Sequence, residues 1–367
     1  MTELIRFVGL DVHKERTVVA FCDAAGRAIE YGSIATSQAA IVAMARKLGR
    51  EGRQLRVCYE AGPCGYGIQR WLTELGHDCA VVAPSLIPRR PGDRVKTDRR
   101  DAIKLAQLHR ADELTRVWVP DEGHEAMRDL VRARGAAVRE VRRARQQLQG
   151  FLLRHGHTYN RKHWTGPHRR WLAGLSFKHP AHLTVMEDAI GAIERAEHRR
   201  DDLTKAIEDL VESWSLAPVV KALQAFRGIA LIAAVTIISE IGDLTRFATA
   251  RQFMANLGMV PSESTSAARV RRGGITKTGN RATRSMLVEA AWTYRLPPRR
   301  HRELAVRQDA APLAVRAIAW KAQTRLHRRC RKMIAKGKKP TVVVIAMARK
   351  LAGFIWAAGQ AVAPANA

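Results

Sequence analysis

The stretch Phe7-Val-Gly-Leu-Asp-Val12, followed by Thr17-Val-Val-Ala-Phe-Cys22, decides the fold class of the N-terminal third of the chain. Both runs are rich in β-branched and aromatic residues, and the polar turn His13-Lys-Glu-Arg16 separates them, so they predict two paired strands. Asp23-Ala-Ala-Gly26 then predicts a hairpin turn into a third strand at residues 28–32.

Strands and helices alternate after this hairpin. Ser37 predicts the N-cap of a helix that ends near Leu48, and residues 55–60 predict a fourth strand. Residues 65–76 predict a second helix, and Cys79-Ala-Val-Val82 predicts a fifth strand. Hairpin strands followed by strand–helix alternation indicate an α/β, ribonuclease-H-like domain over residues 1–120.

A long helical or coiled-coil arm is predicted for residues 121–215. Proline is absent between residues 121 and 155, where apolar residues recur at helical spacing, and a second helical stretch covers residues 182–214. Residues 155–180 would form the tip of the arm. The first helix carries arginines too densely for all of them to pair within the chain, and we expect Arg142 and Arg143 to contact nucleic acid. These arginines are Arg128, Arg132, Arg134, Arg139, Arg142, Arg143 and Arg145.

A mostly helical domain is predicted for residues 219–356, followed by a frayed tail at residues 357–367. Residues 222–242 predict two helices joined by a turn centred on Gly228. In a helix-hairpin-helix module the amides of such a turn accept a DNA phosphate without reading sequence. A plain helical hairpin in a core fits the spacing equally well.

The charge of the chain points to nucleic acid. The sequence has 367 residues with 63 Lys plus Arg against 34 Asp plus Glu, a net charge of +29. Such a chain repels itself unless a polyanion neutralises it. An anionic membrane would also fit the charge, but no lipidation motif accompanies it, and the apolar run at residues 229–238 is too short to span a bilayer.

Cysteine usage and the N-terminus indicate a cytoplasmic protein. The five cysteines are odd in number and form no CxxC pair, which argues against zinc ribbons and disulfide scaffolds. The start Met-Thr-Glu-Leu-Ile-Arg lacks the apolar segment of a signal peptide. We therefore expect the protein in the bacterial cytosol or nucleoid.

Four carboxylates are candidate metal ligands. Asp11 and Glu60 end predicted strands, and Asp98 and Asp101 stand three residues apart at the entrance of a predicted helix, so they share one face. Carboxylate oxygens are the ligands that Mg²⁺ prefers, and this arrangement is what a two-metal phosphodiesterase site needs. Taken alone, Asp98 and Asp101 would be explained as acidic residues that favour a helix N-terminus.

A segment rich in serine and arginine, residues 257–280, is the candidate site of nucleophilic chemistry. Its small hydroxyl residues are predicted to lie in a loop, beside a set of cations that would neutralise a phosphate under attack by a serine. These cations are Arg269, Arg271, Arg272, Lys277 and Arg281. A loop that contacts phosphates without covalent chemistry fits as well. The basic run at residues 325–339 indicates a further phosphate-facing or RNA-facing surface.

Several motifs together resemble one family. They are GLDVHK at residues 9–14, YEAGPCGYG at 59–67, VKTDRRDA at 95–102, GMVPSES at 258–264, GGITKTGNRATRSMLVEAAW at 273–292, KGKKP at 336–340 and AMARKLAGFIW at 346–356. Over nearly its whole length the chain resembles the DEDD insertion-sequence transposases, relatives of the pilin-gene invertase Piv. These proteins join a RuvC-like domain to a serine-bearing transposase domain.

The resemblance implies the roles of individual residues. The acidic tetrad of the family falls on Asp11, Glu60, Asp98 and Asp101. Its P-x-x-x-x-S-G pattern places the catalytic serine at Ser266, although Ala267 stands where the family usually has glycine, so Ser264 and Ser262 stay as alternatives. The resemblance also implies Mg²⁺ dependence, a covalent phosphoserine intermediate, two dimers assembled around donor and target DNA, and a bridge RNA that pairs with both DNAs.

Two other functions fit the sequence less fully. A RuvC-like structure-specific endonuclease would use only the four carboxylates to activate water and would form no covalent intermediate with DNA. A non-catalytic nucleic-acid-binding protein would keep all its activity when Asp11 is replaced. Neither alternative uses the serine segment as a nucleophile.

Overall fold

A five-stranded mixed sheet organises the N-terminal unit, in the strand order β3-β2-β1-β4-β5. The computed structural model describes residues 5–23, 25–88, 97–266 and 269–362, without the side chains of Glu51, Arg269, Val270 and Arg272. Strands β1, β2 and β3 pair antiparallel, whereas β4 runs parallel to both β1 and β5. The strands are β1 (Ile5–Val12), β2 (Arg16–Cys22), β3 (Ala28–Ala35), β4 (Gln54–Glu60) and β5 (Asp78–Val82).

Three helices cover this sheet: α1 (Gln38–Leu48), α2 (Gly67–Glu74) and α3 (Asp98–Arg110). Ser37 caps α1 by accepting a hydrogen bond from the amide of Ala40, as the sequence predicts. Side chains alternate across β1, so Val8 and Leu10 pack in a core with residues of α1 and α2, while Gly9 faces α3. The mixed α/β sheet is therefore present, and its order is compatible with a ribonuclease-H-like domain.

The chain divides into two compact units, residues 1–119 and 120–367. In the second unit, the long helices α4 (Glu122–Arg154) and α6 (Pro180–Val211) pack along each other. Ion pairs from Arg199 to Glu140 and from Arg145 to Glu197 show that the two helices run antiparallel. The short helix α5 (Gly166–Ala173) lies between them in the chain.

The base of this arm shares a core with the C-terminal helices. Met127 and Val131 of α4 and Ile207 of α6 are buried in the same cluster as Phe226 and Leu351. The arm and the last predicted domain therefore do not have separate cores at this point. A separate apolar cluster around Leu148, Phe151 and Met186 stabilises the distal part of the arm.

The rest of the second unit is helical apart from one exposed hairpin. Its helices are α7 (Ala217–Leu223), α8 (Leu231–Ile241), α9 (Ala250–Asn256), α10 (Arg281–Trp292), α11 (Arg302–Asp309), α12 (Leu313–Ala335) and α13 (Pro340–Gln360). The hairpin consists of β6 (Pro261–Ser266) and β7 (Arg269–Ile275), which pair antiparallel.

The tail prediction is wrong for residues 357–360, because they continue α13. Gln360 donates a hydrogen bond from Nε2 to the carbonyl of Leu244 at 3.0 Å, and Gly359 is buried against the Leu244 side chain. A small residue at position 359 allows this close packing, which a compositional argument for fraying cannot anticipate. Residues 363–367 lie outside the described part of the chain.

Helix α13, with 21 residues and a mean hydropathy of 1.6, is long and apolar enough to cross a membrane. Half of its most apolar window is buried inside the protein, and Val343, Met347 and Leu351 are core residues. A buried core helix passes the same test of length and composition, so this helix alone gives little support for a membrane span.

Candidate active site

Gly9 brings α3 onto the sheet at the position where the carboxylates gather. A Cβ atom at this position would lie 2.3 Å from the carbonyl oxygen of Ala102 and 2.5 Å from the amide of Ala106, so only glycine allows this helix to pack so closely. Asp11 stands two residues further along β1 and hence on the same face of the sheet. The first turn of α3, with Asp98 and Asp101, is thereby directed towards Asp11.

Glu60 lies on the same face, at the end of the neighbouring parallel strand. The register pairs Leu10 with Tyr59, so Asp11 and Glu60 follow at the same level of the sheet. Cys58, two residues before Glu60, donates from its thiol to the carbonyl of Leu105 on α3 at 3.5 Å, which identifies the face that β4 shares with this helix.

Asp11, His13 and Asp98 form the tightest group of potential ligands. His13 Nε2 lies 3.3 Å from Asp11 Oδ2 and 3.7 Å from Asp98 Oδ2. One ligand atom of each residue falls within 4.8 Å of the others, a separation that one divalent cation can bridge. Arg16 also approaches the group, with Nη2 3.9 Å from Asp98 Oδ2.

The electrostatics of Asp11 fit a cation site. Burial raises the pKa of Asp11, and the negative charges of Asp98 and Asp101 raise it further, although His13 opposes both effects. Carboxylates that repel each other at close range are stabilised in their ionised form by a bound cation. The donor set is therefore suitable for a hard divalent ion.

The four predicted ligands do not all enter this group. Asp101 is half-buried in the first turn of α3, where its charge acts on Asp11, and Glu60 is exposed at the end of β4. Neither belongs to the trio of described residues whose ligand atoms lie within 4.8 Å of one another. His13 belongs to it instead. From the sequence it is interpreted only as a turn residue, although it stands inside the GLDVHK motif.

The predicted serine loop is wrong, because residues 261–266 form strand β6. Ser264 pairs with Arg271 and Ser266 with Arg269 across the hairpin, and Ser262 donates from Oγ to the carbonyl of Gly274 at 3.2 Å. The strand lacks the alternation of apolar and polar residues that marks a strand with one buried face, since all but its first residue are exposed. Backbone pairing and the hydrogen bond from Ser262, rather than a buried apolar face, therefore hold this hairpin together.

Ser264 and Ser266 lie on one face of the hairpin, two residues apart. The register places Arg271 opposite Ser264, and Arg271 is exposed. The predicted contacts of Arg269 and Arg272 rest on side chains outside the described residues. Lys277 and Arg281 are exposed beyond β7, and Lys277 has φ 59° with its amide bonded to the carbonyl of Gly258 at 3.0 Å.

A buried carboxylate fixes the base of this hairpin to the arm. Arg132 donates two hydrogen bonds to Glu240, at 2.8 and 2.9 Å, and Asn280 donates to Glu240 Oε2 at 2.7 Å. Asn280 is the N-cap of α10, the helix that follows the hairpin. Burial alone would raise the pKa of Glu240, but hydrogen bonds from Arg132 and Asn280 and the charges of Arg132 and Arg128 hold this pKa below its ordinary value.

The turn at Gly228 joins α7 and α8, but α7 ends at Leu223, so most of the first helix predicted within residues 222–242 is part of the turn instead. Gly228 has φ 81°, and a Cβ atom there would lie 2.8 Å from the carbonyl oxygen of Ala290 on α10. Glycine is required both for the left-handed backbone and for this close approach. The turn therefore packs against α10, the helix that follows the serine hairpin.

The arm arginines divide into two groups. Four of them have partners inside the chain: Arg128 bonds the Ser239 carbonyl, Arg132 bonds Glu240, Arg134 bonds Thr204 and Arg145 bonds Glu197. The other three, Arg139, Arg142 and Arg143, are exposed, and the described part of the chain contains no ion pair for them. Of the seven, these three are available to a polyanion.

Comparison with known proteins identifies the family. A family model described as a transposase, of the DEDD type of IS110 elements, matches residues 8–156, and a second, described as transposase of the IS116/IS110/IS902 family, matches residues 220–304. The transposase for insertion sequence element IS1533 of Leptospira borgpetersenii is 32% identical over 91% of this chain and 98% of its own length. The chain belongs to this transposase family.

Other relatives of this transposase agree with the assignment. A candidate transposase of Sinorhizobium fredii, y4qE, is 49% identical over 96% of this chain and 87% of its own length. The transposase for insertion sequence element IS1328 of Yersinia enterocolitica is 26% identical over 65% of this chain and 70% of its own length. The resemblance drawn from the motifs is confirmed, and the protein is an enzyme that cleaves and rejoins DNA. Membership of a DEDD family also implies dependence on a divalent metal.

Proposed function

We propose that this transposase mobilises an insertion sequence by a covalent mechanism, with Ser266 as nucleophile and Mg²⁺ bound by the carboxylates of a RuvC-like domain. The observation that carries the proposal is the grouping of Asp11, His13 and Asp98 within 4.8 Å, on the sheet face that α3 covers. A divalent cation there would draw a phosphate of DNA to the sheet and neutralise its charge.

Asp11, Glu60, Asp98 and Asp101 would hold the metal. All four supply oxygen ligands, and Mg²⁺ favours oxygen over nitrogen. His13, which is hydrogen-bonded to Asp11, would orient that carboxylate rather than serve as the main ligand. Arg16, near Asp98, would contact a phosphate oxygen as it approaches.

Ser266 Oγ would attack the scissile phosphorus. A bond forms between Oγ and phosphorus, and the bond from phosphorus to one deoxyribose oxygen breaks. The serine hydroxyl gives its proton to water, and the leaving oxygen takes a proton from water to become a hydroxyl. A deoxyribose hydroxyl of the partner DNA then attacks the phosphoserine and releases Ser266, so each cleaved bond is replaced by a new one. Arg269, Arg271 and Arg272, with Lys277 and Arg281, would neutralise the non-bridging oxygens of the phosphate.

The nucleic-acid partners would be donor DNA, target DNA and a bridge RNA in the bacterial cytosol. Arg142 and Arg143 are exposed on the arm and suit contacts with phosphates, and Gly228 would present its turn to a DNA backbone. A homo-oligomer, from dimer to tetramer, would complete the catalytic centre by combining the carboxylates of one protomer with the serine of another. A lone protomer would then leave DNA intact.

The covalent intermediate gives the decisive test. We expect Ser266→Ala to bind DNA as the native protein does but to leave no protein-linked strand on a denaturing gel, and Ser266→Cys to retain at most a trace. Ser264→Ala and Ser262→Ala are the matched controls and should still form the adduct. Cleavage by the native protein without any adduct would support the RuvC-like endonuclease instead.

Guidance by RNA is tested separately, by sequencing the RNA that co-purifies with the native protein. We expect one structured species encoded beside the transposase gene, with segments complementary to both donor and target DNA. A random sample of cellular RNA would contradict this part of the proposal and leave the covalent mechanism untouched.

A further inference from the structure

A groove between α12 and α13 combines a basic rim with an apolar floor, and it lies outside the site described above. Its volume is about 530 Å³, within the range of roughly 300–1,000 Å³ that is typical of ligand pockets. The floor is formed by Met254 of α9, Leu326 of α12 and Gly353, Phe354 and Ala357 of α13. The rim is formed by Arg325, Arg328, Arg329, Lys332 and Lys350.

Helical spacing places these residues on facing sides of two helices. Arg325, Arg329 and Lys332 recur at intervals of four and three residues along α12, and Lys350, Phe354 and Ala357 do the same along α13. Gly353 of α13 faces α9, since a Cβ atom there would lie 2.7 Å from the flexible end of Met254 and 3.8 Å from the Cβ atom of Ala250. The apolar floor is therefore built from three helices.

No acidic residue pairs with the rim in the part of the chain that the structure describes. The sequence contains no Asp or Glu after Asp309, and the described residues include no ion pair to any of the five rim cations. Burial and the charges of Arg329, Arg325 and Arg349 lower the pKa of Lys350 from its ordinary value. An anion bound between these cations would relieve their mutual repulsion.

We infer that this groove binds one unpaired nucleotide of a single-stranded nucleic acid, with its base on the apolar floor beside Phe354 and its flanking phosphates on Arg325, Arg329 and Lys350. Grooves of this chemistry bind single strands because cations follow the backbone while an aromatic ring stacks on any base. A base inside a duplex is stacked on its neighbours and does not reach the floor. The inference rests on the nucleic-acid chemistry of the transposase family and does not depend on Ser266 or on a metal.

Binding of short oligonucleotides to the full-length native protein tests the rim. The probes are single-stranded oligothymidylate and oligouridylate, a DNA duplex of the same length, and polyphosphate. Arg325→Gln combined with Lys350→Gln should weaken binding of both single strands about tenfold and reduce the slope of log affinity against log salt by roughly 1.4. Lys205→Gln combined with Arg302→Gln removes the same charge at exposed positions outside the groove and outside the basic run, and it should change affinity less than about threefold. Equal losses in the two double variants would overturn the site.

A second variant separates a nucleotide site from a general anion site. Phe354→Leu keeps an apolar side chain but removes the ring, so it should weaken single-strand binding about five- to one-hundred-fold and leave duplex and polyphosphate binding unchanged. An equal effect on all four probes, or no effect on any, would overturn the inference. The single strand that competes more strongly, DNA or RNA, identifies the source of the nucleotide.

Photocrosslinking tests the nucleotide site in the native protein, so its result does not depend on whether the variants fold correctly. Oligonucleotides carrying 4-thiothymidine or 4-thiouridine should crosslink on irradiation to the peptides that contain Met254 or Phe354. Crosslinks confined to other parts of the chain would contradict the assignment, even if Phe354→Leu lost affinity.

Discussion

Asp11 and Ser266 both lie on β-strands, but the two strands have opposite surroundings. Asp11 lies on the middle strand of a five-stranded sheet, where Gly9 allows α3 to pack against the same face. Ser266 ends β6 of a two-stranded hairpin, and every residue of β6 after Pro261 is exposed. The core of the protein therefore sets the geometry of the carboxylates, whereas the position of the serine depends on backbone pairing and on what binds the hairpin.

The largest effect is expected for Asp11, the carboxylate on the middle strand of the sheet, and on strand cleavage. Asp11→Asn should reduce strand cleavage at least about 1,000-fold, because several kcal/mol of metal-dependent stabilisation of the transition state would be removed. Binding of DNA should persist. Cleavage assays with Asp112→Asn, an exposed aspartate of the same unit, provide the matched control. Native levels of recombination by Asp11→Asn would remove the carboxylates from the mechanism.

Gly9→Ala tests whether the sheet face positions α3. The added methyl group would clash with the backbone of α3, so we expect a loss of about 3 kcal/mol in the free energy of unfolding of this unit, together with loss of cleavage. Gly62→Ala is the control, since the nearest atom to its Cβ would be 3.8 Å away. Chemical denaturation of both variants measures the difference, and equal stability would show that Gly9 has no packing role.

Glu240→Gln weakens the connection between the arm and the serine hairpin. We expect a loss of about 1–2 kcal/mol at neutral pH, because glutamine lacks the negative charge and keeps only one of the two oxygens that accept from Arg132 and Asn280. Since the pKa of Glu240 is lowered in the folded state, its contribution is present above the unfolded pKa and disappears as the pH falls through the folded pKa. Unfolding measured at several pH values should therefore show the variant and the native protein converging in acid.

Glu289→Gln is the control for this pH dependence, because Glu289 is exposed on α10. Its stability should follow that of the native protein at every pH. A constant difference between Glu240→Gln and the native protein from neutral to acid pH would contradict the role of the ionised carboxylate.

The smallest effect is expected on the arm. Arg142→Gln combined with Arg143→Gln should reduce the slope of log affinity for the cognate RNA against log salt by about one unit for each phosphate that the arm no longer binds. Arg195→Gln combined with Arg199→Gln is the matched control, because these arginines already pair with Asp188 and Glu140. An unchanged slope in the first variant would mean that the exposed arginines do not contact phosphate.

The N-terminal sheet could be predicted from the sequence because its signals are local. β-Branched runs, the turn at Gly26 and the cap at Ser37 each determine a short segment without help from the rest of the chain. The sequence shows that Asp98 and Asp11 are candidate ligands of one site, but not that their side chains lie close together. Their proximity depends on Gly9, which has no side chain and therefore lets α3 pack against β1.

Other features depend on residues distant in sequence. His13 joins the carboxylates only because β1 and the first turn of α3 meet, and the internal partners of Arg132 and Arg145 lie far along the chain. The serine strand has no buried face, so hydrophobic periodicity gives no sign of it. The continuation of α13 to Gln360 depends on packing against Leu244.

The residue that carries the covalent bond to DNA tests the central claim most directly. The native protein would be incubated with Mg²⁺ and a DNA substrate that traps the intermediate, then digested with protease and nuclease and analysed by tandem mass spectrometry. We expect a nucleotide remnant on the Oγ of Ser266 in the native protein and none in Asp11→Asn. A remnant on Ser264 or Ser262 would move the nucleophile along β6, and cleaved DNA with no modified serine would contradict the covalent mechanism.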